Sequence, residues 1–338
     1  MKNITVLGID IAKRVFQLHG VDERGKAVLR RQVSRSELRN TIARLPKCLI
    51  AMEACSGSSY WAREFRGMGH EVRLIAPQFV KPFVKSNKND AADAEAIAEA
   101  VQRPSMRFVT PKEIVHQDIQ ALHRIRRRVV TARVSLTNEL HGVLIEYGIV
   151  LPLALKKMKQ AIAVLVDPQD HRLSAQMKEL MRMMLEELEA AEERVALLDR
   201  KMSQLSNENE VCRRLKEIPG VGPMISTALY SAVVDANTFK NGRQLSAWIG
   251  LVPRQHSTGG KNVLLGISKR GDPYLRQLMV HGARSIVKNA AGKEDRLSKW
   301  IVEKERTRGW NKAVVAVANK TARAAWVLMA RGEKYQAA

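Results

Sequence analysis

Negative charge is scarce in this chain. Over 338 residues, Lys and Arg number 57 against 34 Asp and Glu, a formal net charge of +23 and an isoelectric point near 10.3. An excess of that size calls for a polyanionic partner. Nucleic acid fits better than an anionic membrane surface, because no basic amphipathic anchor accompanies the charge. Cysteine is also rare. Cys48, Cys55 and Cys212 are odd in number and form no CxxC, which argues against a disulfide framework or a thiolate zinc site and fits a reducing cytosol. Long apolar runs are missing too: the nearest, residues 143–155, contains Glu146 and Pro152, so no bilayer span is expected. The opening MKNITVLGID has a strand pattern and lacks the cleavage region of a signal peptide. The expected location is the cytoplasm, in association with the nucleoid. His116, His123, His141 and His281 are scattered and offer no clustered metal donors.

What is present is an ordinary globular composition, 45% hydrophobic, of a length that suggests two or three domains. Residues 3–9, 15–21 and 26–33 read as three successive strands. A helix at about 35–45 follows, opened by Ser34 or Ser36. Then come a strand at 48–53, a helix at 58–68, a short strand at 71–76 and a helix at 90–102. This βββαβαβα order is that of an RNase H-like α/β domain with a mixed sheet.

Within that frame four acids stand out. Asp10 and Glu53 end strand-like runs, and Asp90 and Asp93 open the helical stretch NDAADAEAIAEAV. Carboxyl ends of strands converge on one sheet edge, where ligands bind. Asp90 and Asp93 are three apart and share a helical face. Carboxylates gathered there repel unless a cation joins them, and oxygen ligands of this kind suit Mg²⁺, with Mn²⁺ as the alternative. Each acid alone has an ordinary reading as a helix cap or a surface strand end. Together they point to a metal site for phosphodiester chemistry.

The remaining two thirds read as mostly helical. Residues 103–133 form a basic helical segment that includes Arg124, Arg126, Arg127 and Arg128, a surface for a phosphate backbone or simply a solvated face. Residues 173–205 carry an apolar heptad stripe, Met177, Leu180, Met184, Leu188, Ala191, Val195, Leu198, Met202 and Leu205. Between Asp167 and Glu210 acids outnumber bases. That is an antiparallel hairpin, an oligomerisation coiled coil, or a helix of a monomeric core. Ile218-Pro219-Gly220-Val221-Gly222-Pro223 has the form of a helix-hairpin-helix turn. There Gly220 and Gly222 would let backbone amides approach a phosphate, although an ordinary interhelical turn has the same composition. In residues 250–276, the polar run His256, Ser257, Thr258, Gly259, Gly260 is flanked by Arg254, Lys261, Lys269 and Arg270. A hydroxyl among cations and amides suits attack on a phosphodiester or plain phosphate binding; from the residues alone both stay open. The spacing does not fit the G-x-S-x-G elbow.

Five stretches carry a resemblance: GIDIAK at 8–13, AMEACSGSSYWAR at 51–63, KNDAADAEAIAEAVQRPSMRFV at 88–109, PGVGP at 219–223, and GLVPRQHSTGGKNVLLGISKRGD at 250–272. On these the chain resembles DEDD transposases of the insertion-sequence-110 family, which includes the invertase Piv, in the form of the insertion-sequence-1111 subgroup. The resemblance implies a RuvC-like catalytic domain at 1–150, a coiled-coil connector at 151–210 and a mainly α domain at 211–338 with a helix-hairpin-helix and a serine loop. It implies that Asp10, Glu53, Asp90 and Asp93 hold Mg²⁺ and that Ser257 is the nucleophile. Thr258 stands where many relatives have a second serine. It further implies excision and insertion of a mobile element through a circular intermediate, a structured noncoding guide RNA, double-stranded DNA at the element ends and target, and a dimer or tetramer. A RuvC-like junction endonuclease and a non-catalytic DNA-binding protein are the competing readings.

Overall fold

The computed structural model describes residues 3–84 and 89–336. Lys88, the first residue of the KND stretch, lies outside them. The chain divides into two compact units, Met1–His116 and Gln117–Ala338.

The first unit contains β1 (Val6–Ile11), β2 (Val15–Val21), β3 (Ala27–Ser34), α1 (Arg35–Ala43), β4 (Leu49–Glu53), α2 (Ser58–Gly67), β5 (Glu71–Ile75), α3 (Pro77–Val80), α4 (Asp90–Ala100) and β6 (Phe108–Val109). One mixed sheet runs in the order β3-β2-β1-β4-β5-β6. β1, β2 and β3 are antiparallel neighbours, β4 and β5 run parallel to β1, and β6 returns antiparallel to β5. Ser34 opens α1 through a capping box with Glu37, satisfying amides that the first helical turn leaves unpaired.

Both faces of the sheet are covered, and the two-residue period of the strands assigns each side chain to a face. Leu7 and Ile9 of β1 and Ile50 and Met52 of β4 enter one core with Leu38, Trp61 and Phe65 of α1 and α2. Val6 of β1 and Ala51 of β4 enter the other, with Ala96, Ile97 and Ala100 of α4. Gly8 and Asp10 follow Val6 by alternation, and Glu53 follows Ala51. Both acids therefore lie at the strand ends on the α4 side.

The second unit is mainly helical: α5 (Ile114–Ile145), α6 (Leu155–Leu165), α7 (Ala175–Glu208), α8 (Glu210–Leu215), α9 (Pro223–Ala232), α10 (Gly242–Ile249), α11 (Pro273–Lys288), α12 (Arg296–Arg308) and α13 (Trp310–Arg331). A two-stranded hairpin of β7 (Pro253–Gln255) and β8 (Leu264–Ile267) interrupts them. The expected basic helix starts only at Ile114. Pro104 and Pro111 break the segment before it, and Phe108–Val109 pairs with β5 instead.

The apolar stripe of α7 is covered within the chain. Leu140, Leu144, Met158, Ile162, Met181 and Leu188 form one core between α5, α6 and α7, and Val129, Val195 and Leu198 form a smaller one. At its start the buried side chain is Met181, while Leu180 is 42% exposed. A second large core joins α8 to α13. Among the described residues α13 alone is long and apolar enough to cross a bilayer, yet Val314, Val317, Ala318, Ala322, Ala325 and Leu328 bury its apolar face in that core.

Candidate active site and nucleic-acid interface

In the first unit, close packing brings three of the four predicted acids together. A Cβ on Gly8 would lie 2.2 Å from the carbonyl oxygen of Ala94 and 2.9 Å from Cβ of Ala98. Only glycine in β1, facing alanines in α4, lets the helix backbone rest on the strand. Asn89 caps α4 by accepting from the amide of Ala91 at 3.0 Å, which fixes the first turn carrying Asp90 and Asp93. One carboxylate oxygen from each of Asp10, Asp90 and Asp93 lies within 4.8 Å of the others.

Glu53 stands on the neighbouring strand, one step beyond the Ile9–Met52 pair, and is outside this trio. It is still felt: the pKa of Asp10 is pushed up to about 6, first by burial, then by the charges of Asp93, Asp90 and Glu53. A carboxyl held above its ordinary range by like charges is a group that a divalent cation would release as the anion. Hard, crowded oxygen donors fit Mg²⁺ or Mn²⁺. Asp10, Asp90 and Asp93, with Glu53 at the margin, are the residues that could hold one.

In the second unit, Ser257 sits on an exposed hairpin with a rigid base. Gly259 and Gly260 (φ 55° and 76°) turn the chain between Thr258 and Lys261, both central residues having the positive φ of a type I′ turn. At the base, a Cβ on Gly250 would lie 2.2 Å from the carbonyl oxygen of Arg270. One on Gly271 would lie 2.0 Å from that of Trp248. Arg276 ties the two passes together, donating to the carbonyls of Ile249 at 3.0 Å and Arg270 at 2.7 Å. Ser257 Oγ accepts from the Gln255 amide at 2.9 Å. No imidazole or carboxylate hydrogen-bonds it among the described residues. Arg254, Lys261, Lys269 and Arg270, which flank it in the sequence, are exposed, and none is in an ion pair among the described residues.

The profile of the Transposase IS116/IS110/IS902 family matches residues 212–297, and a transposase profile of the DEDD IS110 type matches residues 7–149. The chain belongs to this family. It is 46% identical over 338 residues to a Pseudomonas aeruginosa protein named "Probable family 20 transposase", with 99% of each chain covered. It is 45% identical to the transposase for insertion sequence element IS1111A of Coxiella burnetii, covering 99% of this chain and 92% of that one. It is 40% identical to the transposase for insertion sequence element IS1328 of Yersinia enterocolitica, with 98% of each covered.

Within this family member, the other predicted residues divide by their partners. Arg126 forms a bidentate bridge to Asp199 of α7 and is half-buried between the two helices. Arg127 lies over the ring of Tyr274 at 5.6 Å, and Arg124 and Arg128 are exposed. Gly220 (φ 75°) is glycine for a packing reason: a Cβ there would meet Ile286 at 2.6 Å and the carbonyl of Gly282 at 2.9 Å, so the turn rests on α11. Gly222 faces open space at the start of α9.

Sequence reasoning missed a buried relay. His123 Nδ1 is 2.9 Å from Tyr274 Oη, its Nε2 is 3.0 Å from Thr227 Oγ1, and Thr227 donates to the carbonyl of Pro223 at 2.6 Å. Both ring nitrogens are satisfied by a neutral imidazole whose Nε2–H donates to Thr227 and whose Nδ1 accepts from Tyr274. Burial and the nearby Arg126 push the pKa of His123 down to about 4, against a smaller upward pull from Asp272. The relay ties the basic helix α5 to the PGVGP turn and to the first turn of α11, just after the serine hairpin.

Proposed function

We propose that this chain is a site-specific DNA recombinase that moves an insertion sequence by cutting and rejoining strands, with Asp10, Glu53, Asp90 and Asp93 as its metal site and Ser257 as its nucleophile. The observation that carries it is the meeting of Asp10, Asp90 and Asp93 at the end of β1. The strand order β3-β2-β1-β4-β5, with β2 antiparallel and β4 parallel to β1, supports an RNase H/RuvC-like reading of that domain. Mg²⁺ bound there would supply Lewis acidity toward a phosphate oxygen. Functionally the chain divides into a catalytic segment 1–150, a connector 151–210 of coiled-coil type, and a segment 211–338 with the serine loop.

Ser257 Oγ forms a bond to phosphorus as the strand's own P–O bond breaks, and the serine proton ends on the freed hydroxyl. In the second half a partner strand's hydroxyl attacks the phosphoserine, the Ser–O–P bond breaks and the proton returns to the serine. Bond energy is conserved and nothing is hydrolysed. Arg254, Lys261, Lys269 and Arg270 hold the scissile phosphate. The Gly222 amide, at the start of α9, supports a helix-hairpin-helix contact to a backbone phosphate, and Arg124, Arg127 and Arg128 add sequence-independent affinity. Nothing in these contacts reads bases, which supports a structured noncoding RNA as the reader of target and donor sequence. The two halves of the site lie in separate units, so we place the reaction in a dimer or tetramer, on a circular element intermediate, at chromosomal DNA in the cytoplasm.

A second reading has an observation behind it: among the described residues Ser257 has Gln255 as its hydrogen-bond partner and no base. In that reading the acids serve a junction endonuclease and Ser257 merely binds phosphate. Donor-junction DNA incubated with Mg²⁺ separates the two: joined recombinant strands support recombination, and cut ends alone support the nuclease.

A further inference from the structure

A cleft of about 950 Å³ lies in the second unit between α10, α12 and α13, beside the serine hairpin. Its rim carries Arg243, Lys312, Lys320 and Arg323. All four are exposed and none forms an ion pair among the described residues. Lys312, Lys320 and Arg323 are spaced to share one face of α13, and the small residues Ala316 and Ala324 line the cleft on the same helix. The walls are apolar. Trp300 of α12 forms one side, with Lys320 Nζ 5.2 Å from its ring.

The cleft is built rigidly. Gly242 rests on α13, where a Cβ would come 2.8 Å from Cα of Arg323, and Asn319 donates to Ser246 Oγ at 2.6 Å. Pro253, the first residue of β7, lines its mouth.

A duplex backbone needs cations on a convex or shallow surface and has no use for an apolar recess. An unpaired nucleotide has both demands, a base that gains from an aromatic wall and a phosphate that gains from a cation. We propose that this cleft seats unpaired nucleotides of a nucleic-acid strand, a base against the Trp300 wall and phosphates on Lys312, Lys320 and Arg243, leading the strand past Pro253 toward Ser257. The proposal rests on the strand-exchange reading above.

The test uses the full-length protein and fluorescence anisotropy with oligothymidine and oligouridine of about 15 nucleotides, within the range of single-strand sites, and with a duplex of equal length. The variants are Lys312→Gln/Lys320→Gln and, as an apolar control, Trp300→Leu. Each variant is expected to lose about tenfold in single-strand affinity, as removal of a stacking surface or of phosphate-binding cations implies, and to keep duplex affinity within about twofold. The double lysine variant should also flatten the slope of log K against log salt by about 1.4, and Trp300→Leu should leave it unchanged. If Trp300→Leu does not fold, the lysine variant carries the test. Tighter binding of thymidine or uridine, abolished in the same variants, supports the site and names the strand as DNA or RNA. Equal losses on duplex, unchanged single-strand binding, absent single-strand binding by the parent, or equal displacement by polyglutamate overturns it. Failure of the recombinase reading would appear separately, as an unaltered protein that binds single strands through these residues yet joins no DNA.

Discussion

Gly8 of β1 and Ala94 of α4 lie in contact where no larger residue fits, a Cβ on Gly8 falling 2.2 Å from the Ala94 carbonyl oxygen. That contact sets the distance from Asp10, two residues along β1, to Asp90 and Asp93 on the first turn of α4.

Gly8→Ala should push α4 off the sheet. Overpacking of this kind costs about 1–3 kcal/mol. The more telling effect is on the acids: Mn²⁺ binding followed by electron paramagnetic resonance should weaken at least tenfold, since a loss of about 1.4 kcal/mol suffices for that. Unchanged Mn²⁺ affinity in a folded variant would mean that the acids do not depend on this packing.

A metal site at these acids should also write itself into the pH dependence of stability. Folding raises the Asp10 pKa from 3.8 to about 6. Between those values the native chain holds a proton that the unfolded chain has released, so metal-free stability falls as pH rises through this window. A divalent cation favours the ionised carboxyl and opposes the fall. Thermal unfolding from pH 4 to pH 7 should therefore show a Mg²⁺-induced rise in Tm that grows with pH and is absent in Asp10→Asn. A Mg²⁺ effect that is flat with pH would contradict the site.

His123 carries the opposite sign. Its pKa falls from 6.5 to about 4 on folding, so the stability it contributes is present above pH 6.5 and is lost as pH falls toward 4. Protonation would set a charge beside Arg126 and break the acceptor role of Nδ1 toward Tyr274. His123→Ala should destabilise by about 1–3 kcal/mol through the unpaired Thr227 and Tyr274 groups. It should also flatten the acid limb, as read by denaturant unfolding at pH 5 and pH 7.

Much of the first unit was legible because its strands alternate and its helices are capped by Ser34 and Asn89. Apolar positions in β1 and β4 fixed which end carries Asp10 and Glu53. What could not be read was contact across sequence distance. Arg126 reads as one of four free arginines until α7 brings Asp199 to it. Gly220 reads as a phosphate-approach glycine, whereas Gly282 and Ile286 of α11 already fill the space beside it. The α7 stripe was misplaced at Leu180 because its neighbour Met181 is equally apolar; with Met181 inward, Met177, Met181, Met184 and Leu188 keep the regular four-three spacing of a heptad. The serine hairpin carries no strand signal in the sequence, because Arg254, Gln255 and the exposed Leu264 lack an alternating apolar face.

The arginines can be separated by salt. Replacing Arg124, Arg127 and Arg128 with Gln should weaken duplex binding and reduce the slope of log K against log salt by about 0.9 for each phosphate no longer neutralised. Arg126→Gln should leave that slope alone and lower the unfolding temperature, because it strands Asp199. A slope change in Arg126→Gln equal to the others would mean that its guanidinium neutralises a phosphate.

Gly271→Ala tests the hairpin base. The new Cβ would lie 2.0 Å from the Trp248 carbonyl at a residue with φ 75°. Strand joining should be lost while Mn²⁺ binding at the acids stays at the level of the unaltered chain. Joint loss of both would mean general unfolding, and circular dichroism would report it.

The most direct measurement is covalent capture. The purified protein, with any RNA that accompanies it, is incubated with Mg²⁺ and labelled donor-junction DNA and run on a denaturing gel. Serine-mediated recombination predicts a protease-sensitive DNA adduct that disappears in Ser257→Ala and in Asp10→Asn. Cut DNA ends without an adduct, still dependent on Asp10 and indifferent to Ser257, would contradict it and leave a nuclease.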